Sequence, residues 1–145
     1  GISMLTLAKI SRLLGTDQLH IGTAGIGKMH GSASEELSIE YEIEKQNIKS
    51  NSKINRLDQK WYNMKPILAV ASGGVSPVDL PKIVKTMGND IVIQAGGGVH
   101  WHPDGSKYGA RAMRQSIEAT MKKIPLKKYA ETNKELKQAL DKFKQ

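Results

Sequence analysis

At 145 residues, with 39% apolar and 25% charged side chains, the chain has the length and composition of one soluble globular domain. The absence of cysteine excludes disulfide frameworks, thiolate metal sites and cysteine nucleophiles. Net charge is +8, but residues 1–106 hold 11 basic and 10 acidic residues while residues 107–145 hold 11 and 4. With aromatics at only 5%, that excess reads as a solvated lysine-rich helix, not a nucleic-acid stripe. No apolar run reaches membrane-spanning length, and Gly1-Ile2-Ser3 does not open a signal peptide. A cytoplasmic protein with no membrane or nucleic-acid partner is expected.

Ile2, Leu5, Ala8, Ile10, Leu13 and Leu14 form a helical stripe, with Gly15 as C-cap. No N-cap stands out and there is no initiator methionine, so the chain is expected to begin inside a larger domain. Asp17–Ile21 reads as a strand and Gly22–Lys28 as a glycine-rich loop. Ser32–Ser50 is ambiguous: Ser38–Glu44 alternates like a strand, yet Ile39/Ile43 and Leu37/Tyr41 are helical pairs. The glutamates tip the reading to helix. Asn51–Asn63 is polar and loop-like.

Pro66–Ala71 is a continuous apolar run, as for a strand buried on both faces. Ser72-Gly73-Gly74 ends it. Ser76 as N-cap, Pro77 at the first helical position and Asp79 as a short capping-box arm predict a helix. Its apolar face is Leu80, Ile83, Val84 and Met87, and Gly88 stops it. Asp90–Gln94 is a third strand, followed by Ala95-Gly96-Gly97-Gly98. A helix over Ser106–Lys123 buries Ala112, Met113, Ile117, Thr120 and Met121. After Pro125, one last helix carries Tyr129, Leu136, Ala139, Leu140 and Phe143. Alternating strands and helices predict an α/β fold with a parallel sheet, whose ligands sit at the C-terminal strand ends.

All three glycine-rich segments fall at such ends. Free N–H groups on a glycine loop before a helix form an anion nest, so two adjacent loops point to a phosphate site. Gly22-x-x-x-x-Gly27-Lys28 nearly matches a Walker A loop, but Met29 stands where Mg²⁺ needs Ser or Thr, which argues against nucleotide hydrolysis. The dinucleotide pattern fails at His30. Lys28 sits where a lid residue would, and its charge could stabilise a developing carboxylate. A solvated loop lysine is the plainer alternative. His20 could point to the strand end. His100 and His102 form an H-x-H pair without an identifiable third metal ligand, so a structural role is favoured. Ser72 is no nucleophile-elbow serine, because Val70 replaces the required glycine.

Three ordered segments, His20–Lys28, Val70–Gly74 and Gln94–Gly98, together with His102-Pro103 and the opening helix, resemble the large subunit of RuBisCO, in its archaeal form III type. The resemblance covers essentially the whole chain. It implies strands six to eight of a (β/α)8 barrel with their helices and the terminal helix. It implies that Lys28 is the lid lysine that stabilises the carboxylate formed when CO2 adds to the enediolate of ribulose 1,5-bisphosphate. His20 would contact the C5 phosphate, and Ser72 the sugar hydroxyls. Gly74, Gly96 and Gly97 would present N–H groups to the C1 phosphate, and Gly73 would belong to the substrate-binding set. His30 stands where plant-type enzymes place a glutamate. The family's Mg²⁺-binding run of a carbamylated lysine followed by Asp and Glu does not occur here, so Mg²⁺ ligands are expected outside this chain. Activity is expected only with the remainder of the large subunit, in a homo-oligomer built from dimers. The alternatives are an isolated phosphate-binding fragment and a RuBisCO-like sugar-phosphate enolase.

Overall fold

A computed structural model describes residues 1–27 and 32–143. Three strands form a parallel sheet in the order β1 (Gln18–Gly22), β4 (Leu68–Ala71), β5 (Val92–Ile93). Helices α2 (Ala33–Glu44) and α3 (Leu80–Met87) make the crossovers, as parallel neighbours require. Helix α1 (Met4–Leu13) precedes the sheet. After β5 come α4 (Gly97–His100), α5 (Ser106–Met121), α6 (Leu126–Tyr129) and α7 (Lys134–Lys142). The α/β reading and the parallel sheet thus agree with the sequence pattern.

Alternation along the strands sorts their side chains into two faces. Ile21, Ala69 and Ala71 join the core with Ile39 and Ile43 of α2 and Leu80 and Ile83 of α3. His20 and Val70 are register partners and take the other face. Ala69, Val70 and Ala71 are all buried, so β4 is covered on both sides beyond Leu68, which is 40% exposed.

Several elements differ from the sequence reading. The first helix does have an N-cap: Ser3 Oγ accepts the Thr6 N–H at 3.2 Å. Gly15, at φ +77, ends it with Thr16 N–H bonded to Ser11 O and Gly15 N–H to Arg12 O, a Schellman closure. Its apolar stripe is largely outside, with Ile10, Leu13 and Leu14 exposed by 43, 61 and 80%. Ala8 of that stripe is buried, and beside it the polar Arg12, because α1 turns that side to α2. The polar stretch after α2 is not all loop. β2 (Asn47–Ile48) and β3 (Gln59–Lys60) pair antiparallel around a short 3-10 turn. Helix α3 begins at Leu80, three residues after Pro77. The Ser76–Asp79 box still forms, with Asp79 Oδ2 accepting the Ser76 N–H and hydroxyl at 2.8 and 2.6 Å, but it closes a turn ahead of the helix. Met121 is exposed, and the terminal helix is two helices broken at Ala130–Asn133.

Arg12 joins α1, α2 and the approach to β4. It is fully buried, and its guanidinium donates to the carbonyls of Glu42 (3.0 Å), Lys45 (2.7 Å), Met64 (3.2 Å) and Lys65 (3.3 Å). Its planar face lies 4.5 Å from the Trp61 ring centroid. Four converging carbonyls suit a five-donor planar cation and no apolar side chain. Arg12→Met should therefore destabilise the fold by about 3–5 kcal/mol, read from urea denaturation. A loss below about 1 kcal/mol would show the clamp to be dispensable.

The neighbouring face of α2 carries buried acid. Glu40 is 7% exposed. Burial pushes its carboxyl up to about 7, with the Glu44 charge adding and Lys45 opposing. A folded value above the unfolded one means that the native state binds the extra proton. Stability is then greatest at low pH and falls as pH rises from the ordinary Glu range towards 7. Glu40→Gln should raise stability by about 1–3 kcal/mol at pH 8 and change it little near pH 4.5. Equal effects at both pH values, in thermal denaturation, would contradict this.

Candidate functional site

The parallel sheet brings the ends of β1, β4 and β5 to one edge. His20 stands opposite Val70 in the register, and Ser72 lies two residues beyond Val70 on the same face. His20 Nδ1 and Ser72 Oγ share a hydrogen bond of 2.7 Å. His20 is exposed and Ser72 half-buried, so both stand open to the strand-end side. The register shifts between His20 and Gly22, and such an irregularity redirects the chain at a strand end. Ser72 N–H then donates to Gly22 O at 3.2 Å, which holds the two strand exits together.

Three loops meet at this edge through glycine. A Cβ at Gly27 would overlap the carbonyl oxygen of Gly73 and lie 2.9 Å from Thr23 Oγ1. A Cβ at Gly98 would overlap Val75 O and lie 2.8 Å from Ser76 Cα. The loop after β4 is thus flanked closely by the loops after β1 and β5. Gly73 and Gly74 have φ +122 and +71, a backbone course that side chains rarely follow. Gly96 caps α4 and has open space around its Cβ position, whereas Gly97 backs onto the Trp101 ring at 3.4 Å. Lys28, with His30, lies outside the described residues.

The loop leaving β1 is pinned from below. Thr23 Oγ1 accepts the Gly27 N–H at 2.7 Å. Glu36, in the first turn of α2, accepts the Gly25 N–H at 3.1 Å. Neither residue stood out in the sequence: Thr23 is one polar residue among glycines, and Glu36 one of five α2 glutamates or near neighbours in charge. Gly27 entered the reading only as part of a phosphate-loop pattern, and its close approach has no sequence signal.

The H-x-H pair is separated by function. His102 is buried, with Nε2 3.0 Å from Glu135 O and Nδ1 accepting the Asp104 N–H at 3.1 Å. This ties the α4–α5 connection to α7 and leaves no ring nitrogen for a metal. His100 Nδ1 pairs with Ser106 Oγ at 2.9 Å. Among the described residues no group of three or more His, Asp and Glu could hold a metal ion. Among them too, no helix is long and apolar enough to cross a membrane. A groove of about 620 Å³ lies between α3, α6 and α7, reaches the strand-end side at Ile26, and is not lined by His20 or Ser72.

Gly27→Ala should cost about 1–3 kcal/mol by forcing the first two loops apart. Gly96→Ala, with open space, should stay within about 0.5 kcal/mol of the parent. Thermal denaturation of both compares them, and equal losses would mean that the close approach is not a constraint.

Among curated relatives, ribulose bisphosphate carboxylase of Methanocaldococcus jannaschii is 51% identical over 144 residues, which cover 99% of this chain and 34% of that protein. Its counterpart in Thermococcus onnurineus is 46% identical, with 99% and 32% covered. The dimeric archaeal Rubisco of Hyperthermus butylicus superposes with a TM-score of 0.88 at 42% identity, covering 99% of this chain and 33% of that one. The octameric enzyme of Pyrococcus horikoshii gives 0.83 at 39%, covering 98% and 31%. The chain thus spans about a third of the length of the relatives it matches. Residues 1–143 match the family described as ribulose bisphosphate carboxylase large chain, catalytic domain, and the chain belongs to that family.

Proposed function

We propose that this chain is the C-terminal part of an archaeal form III RuBisCO catalytic barrel, strands six to eight of a (β/α)8 fold with their helices and the terminal helix. In this reading it supplies the lid lysine and the phosphate-binding loops for carboxylation of ribulose 1,5-bisphosphate. The observation that carries the proposal is the joining of His20 to Ser72 at 2.7 Å, where glycine loops leave adjacent parallel strands. A histidine, a hydroxyl and backbone N–H groups on one edge suit a polyhydroxylated anion.

The roles are those that the resemblance to the family implies, and the placement of the described residues is compatible with them. His20 lies at the β1 end, where it can meet the C5 phosphate. Ser72 can bond the sugar hydroxyls. Gly74, after β4, and Gly96 and Gly97, at the start of α4, would direct N–H groups to the C1 phosphate, with Gly73 beside them in the substrate-binding set. Lys28 follows Gly27 in sequence and would bring an ammonium to the carboxylate created by CO2 addition. Magnesium in this family would polarise the substrate oxygens, but the described residues do not form a site for it. Its ligands would come from the remainder of the large subunit. Assembly as a homo-oligomer built from dimers, in the cytoplasm, completes the proposal. The superposed relatives are named as dimeric and octameric enzymes.

The test places this segment in a complete large subunit, in exchange for the matching third of the Methanocaldococcus relative. The graft should incorporate CO2 into ribulose 1,5-bisphosphate. Lys28→Met should lower carboxylation by roughly 10²–10³, the worth of one positioned charge in a closed site. Exchange of the substrate C3 proton should survive, because no charge develops beside Lys28 in that earlier step. A graft without carboxylation, or proton exchange that falls as far as carboxylation, would overturn the assignment.

A further inference from the structure

We propose that Glu36 is a positioning residue whose buried carboxylate fixes the strand-end loop Gly22–Gly27, and so sets the point from which the chain continues to Lys28. The catalytic consequence rests on the reading given under Proposed function. The positioning itself rests on geometry alone.

Glu36 is only 9% exposed, although it lies in the first turn of a helix. One carboxylate oxygen accepts the Gly25 N–H at 3.1 Å. The carboxyl group also fills the space that a Cβ at Gly22 would occupy, so the side chain lies against the loop at its first residue and bonds it at its fourth. Gly25 packs on Ala33 of the same helix, 3.4 Å from its Cβ position. Between these anchors Ala24 is held at φ +51, a left-handed conformation that a residue with a Cβ adopts only when its surroundings impose it. Ala24 is buried as well.

Two further anchors act elsewhere. Thr23 accepts the Gly27 N–H through Oγ1 and the Ile26 N–H through its carbonyl, which closes the loop on itself, and Ser72 N–H bonds Gly22 O, which ties the loop's first residue to the exit of β4. The polar tie to α2 comes from Glu36. Its length matters as much as its charge. A shorter carboxylate at the same helical position keeps the favourable placement near the helix N-terminus but falls short of Gly25. An amide of the same length keeps an acceptor oxygen within reach. Charge and reach can therefore be separated by substitution.

The experiment uses the complete large subunit carrying this segment, with Glu36→Ala, Glu36→Asp and Glu36→Gln. Amide hydrogen exchange of Gly22–Gly27 reports position, and carboxylation set against C3 proton exchange reports its consequence. Glu36→Ala and Glu36→Asp should speed exchange in the loop by roughly tenfold or more, with the sheet unaffected. They should lower carboxylation by up to about 10²-fold while proton exchange stays within about threefold. Glu36→Gln should resemble the parent in both readouts. The proposal fails if Glu36→Asp matches the parent, if Glu36→Gln is as damaging as Glu36→Ala, or if exchange rises throughout the chain. It also fails if both activities fall in step, the mark of a general loss of stability. If the parent subunit shows neither activity, the functional reading falls, and loop exchange alone still decides the role of Glu36.

Discussion

The backbones of β1 and β4 pair in parallel from Gln18 opposite Leu68 to Gly22 opposite Ala71, and every feature of the strand-end edge follows from that pairing. Parallel strands place their C-terminal ends side by side and send their crossovers over the sheet. The same register puts His20 beside Val70 and so brings it to Ser72. A shift of one residue would turn His20 to the helix side of the sheet and bring Ile21, now in the core, to the edge. The apolar identity of Ile21, Ala69 and Ala71 is what forbids that shift.

Glycine does two different jobs at this edge. At Gly27 and Gly98 it lets neighbouring loops touch, because a Cβ at either place would overlap a carbonyl of the loop after β4. At Gly73 and Gly74 it permits the left-handed course that turns the chain away from the strand end. Gly96 is different again, with open space around it. A glycine-rich signature is therefore a mixture of packing and turning positions, with others that neither explains. The family's phosphate-binding role falls to only part of it in the proposed reading.

Buried charge supports the edge from behind. Arg12 gathers the carbonyls at the end of α2 and before β4, and Glu36 reaches from the start of α2 to the loop after β1. Helix α2 is thus held at both ends by ionic side chains bonded to backbone groups, a pairing that satisfies the backbone where regular structure stops. The outer side of α1 is the opposite case: Ile10, Leu13 and Leu14 present apolar surface to solvent.

The alternating pattern alone determined the succession of strands and helices, the parallel sheet and the location of the glycine loops, because a buried parallel strand must be a short apolar run and its crossover an amphipathic helix. The segments His20–Lys28, Val70–Gly74 and Gln94–Gly98 also sufficed to point to the RuBisCO family, since their order and spacing are local properties of the chain. The hairpin of β2 and β3 was not legible, because two-residue strands of polar side chains carry no period. The exposure of the α1 stripe was equally hidden, for periodicity shows that a helix has an apolar face but not what lies against it. The contact of His20 with Ser72, the close approach of Gly27 to Gly73 and the reach of Glu36 to Gly25 join residues from separate elements. Only the tertiary structure decided these, because their partners are chosen by register and loop course, and no residue type encodes either by itself.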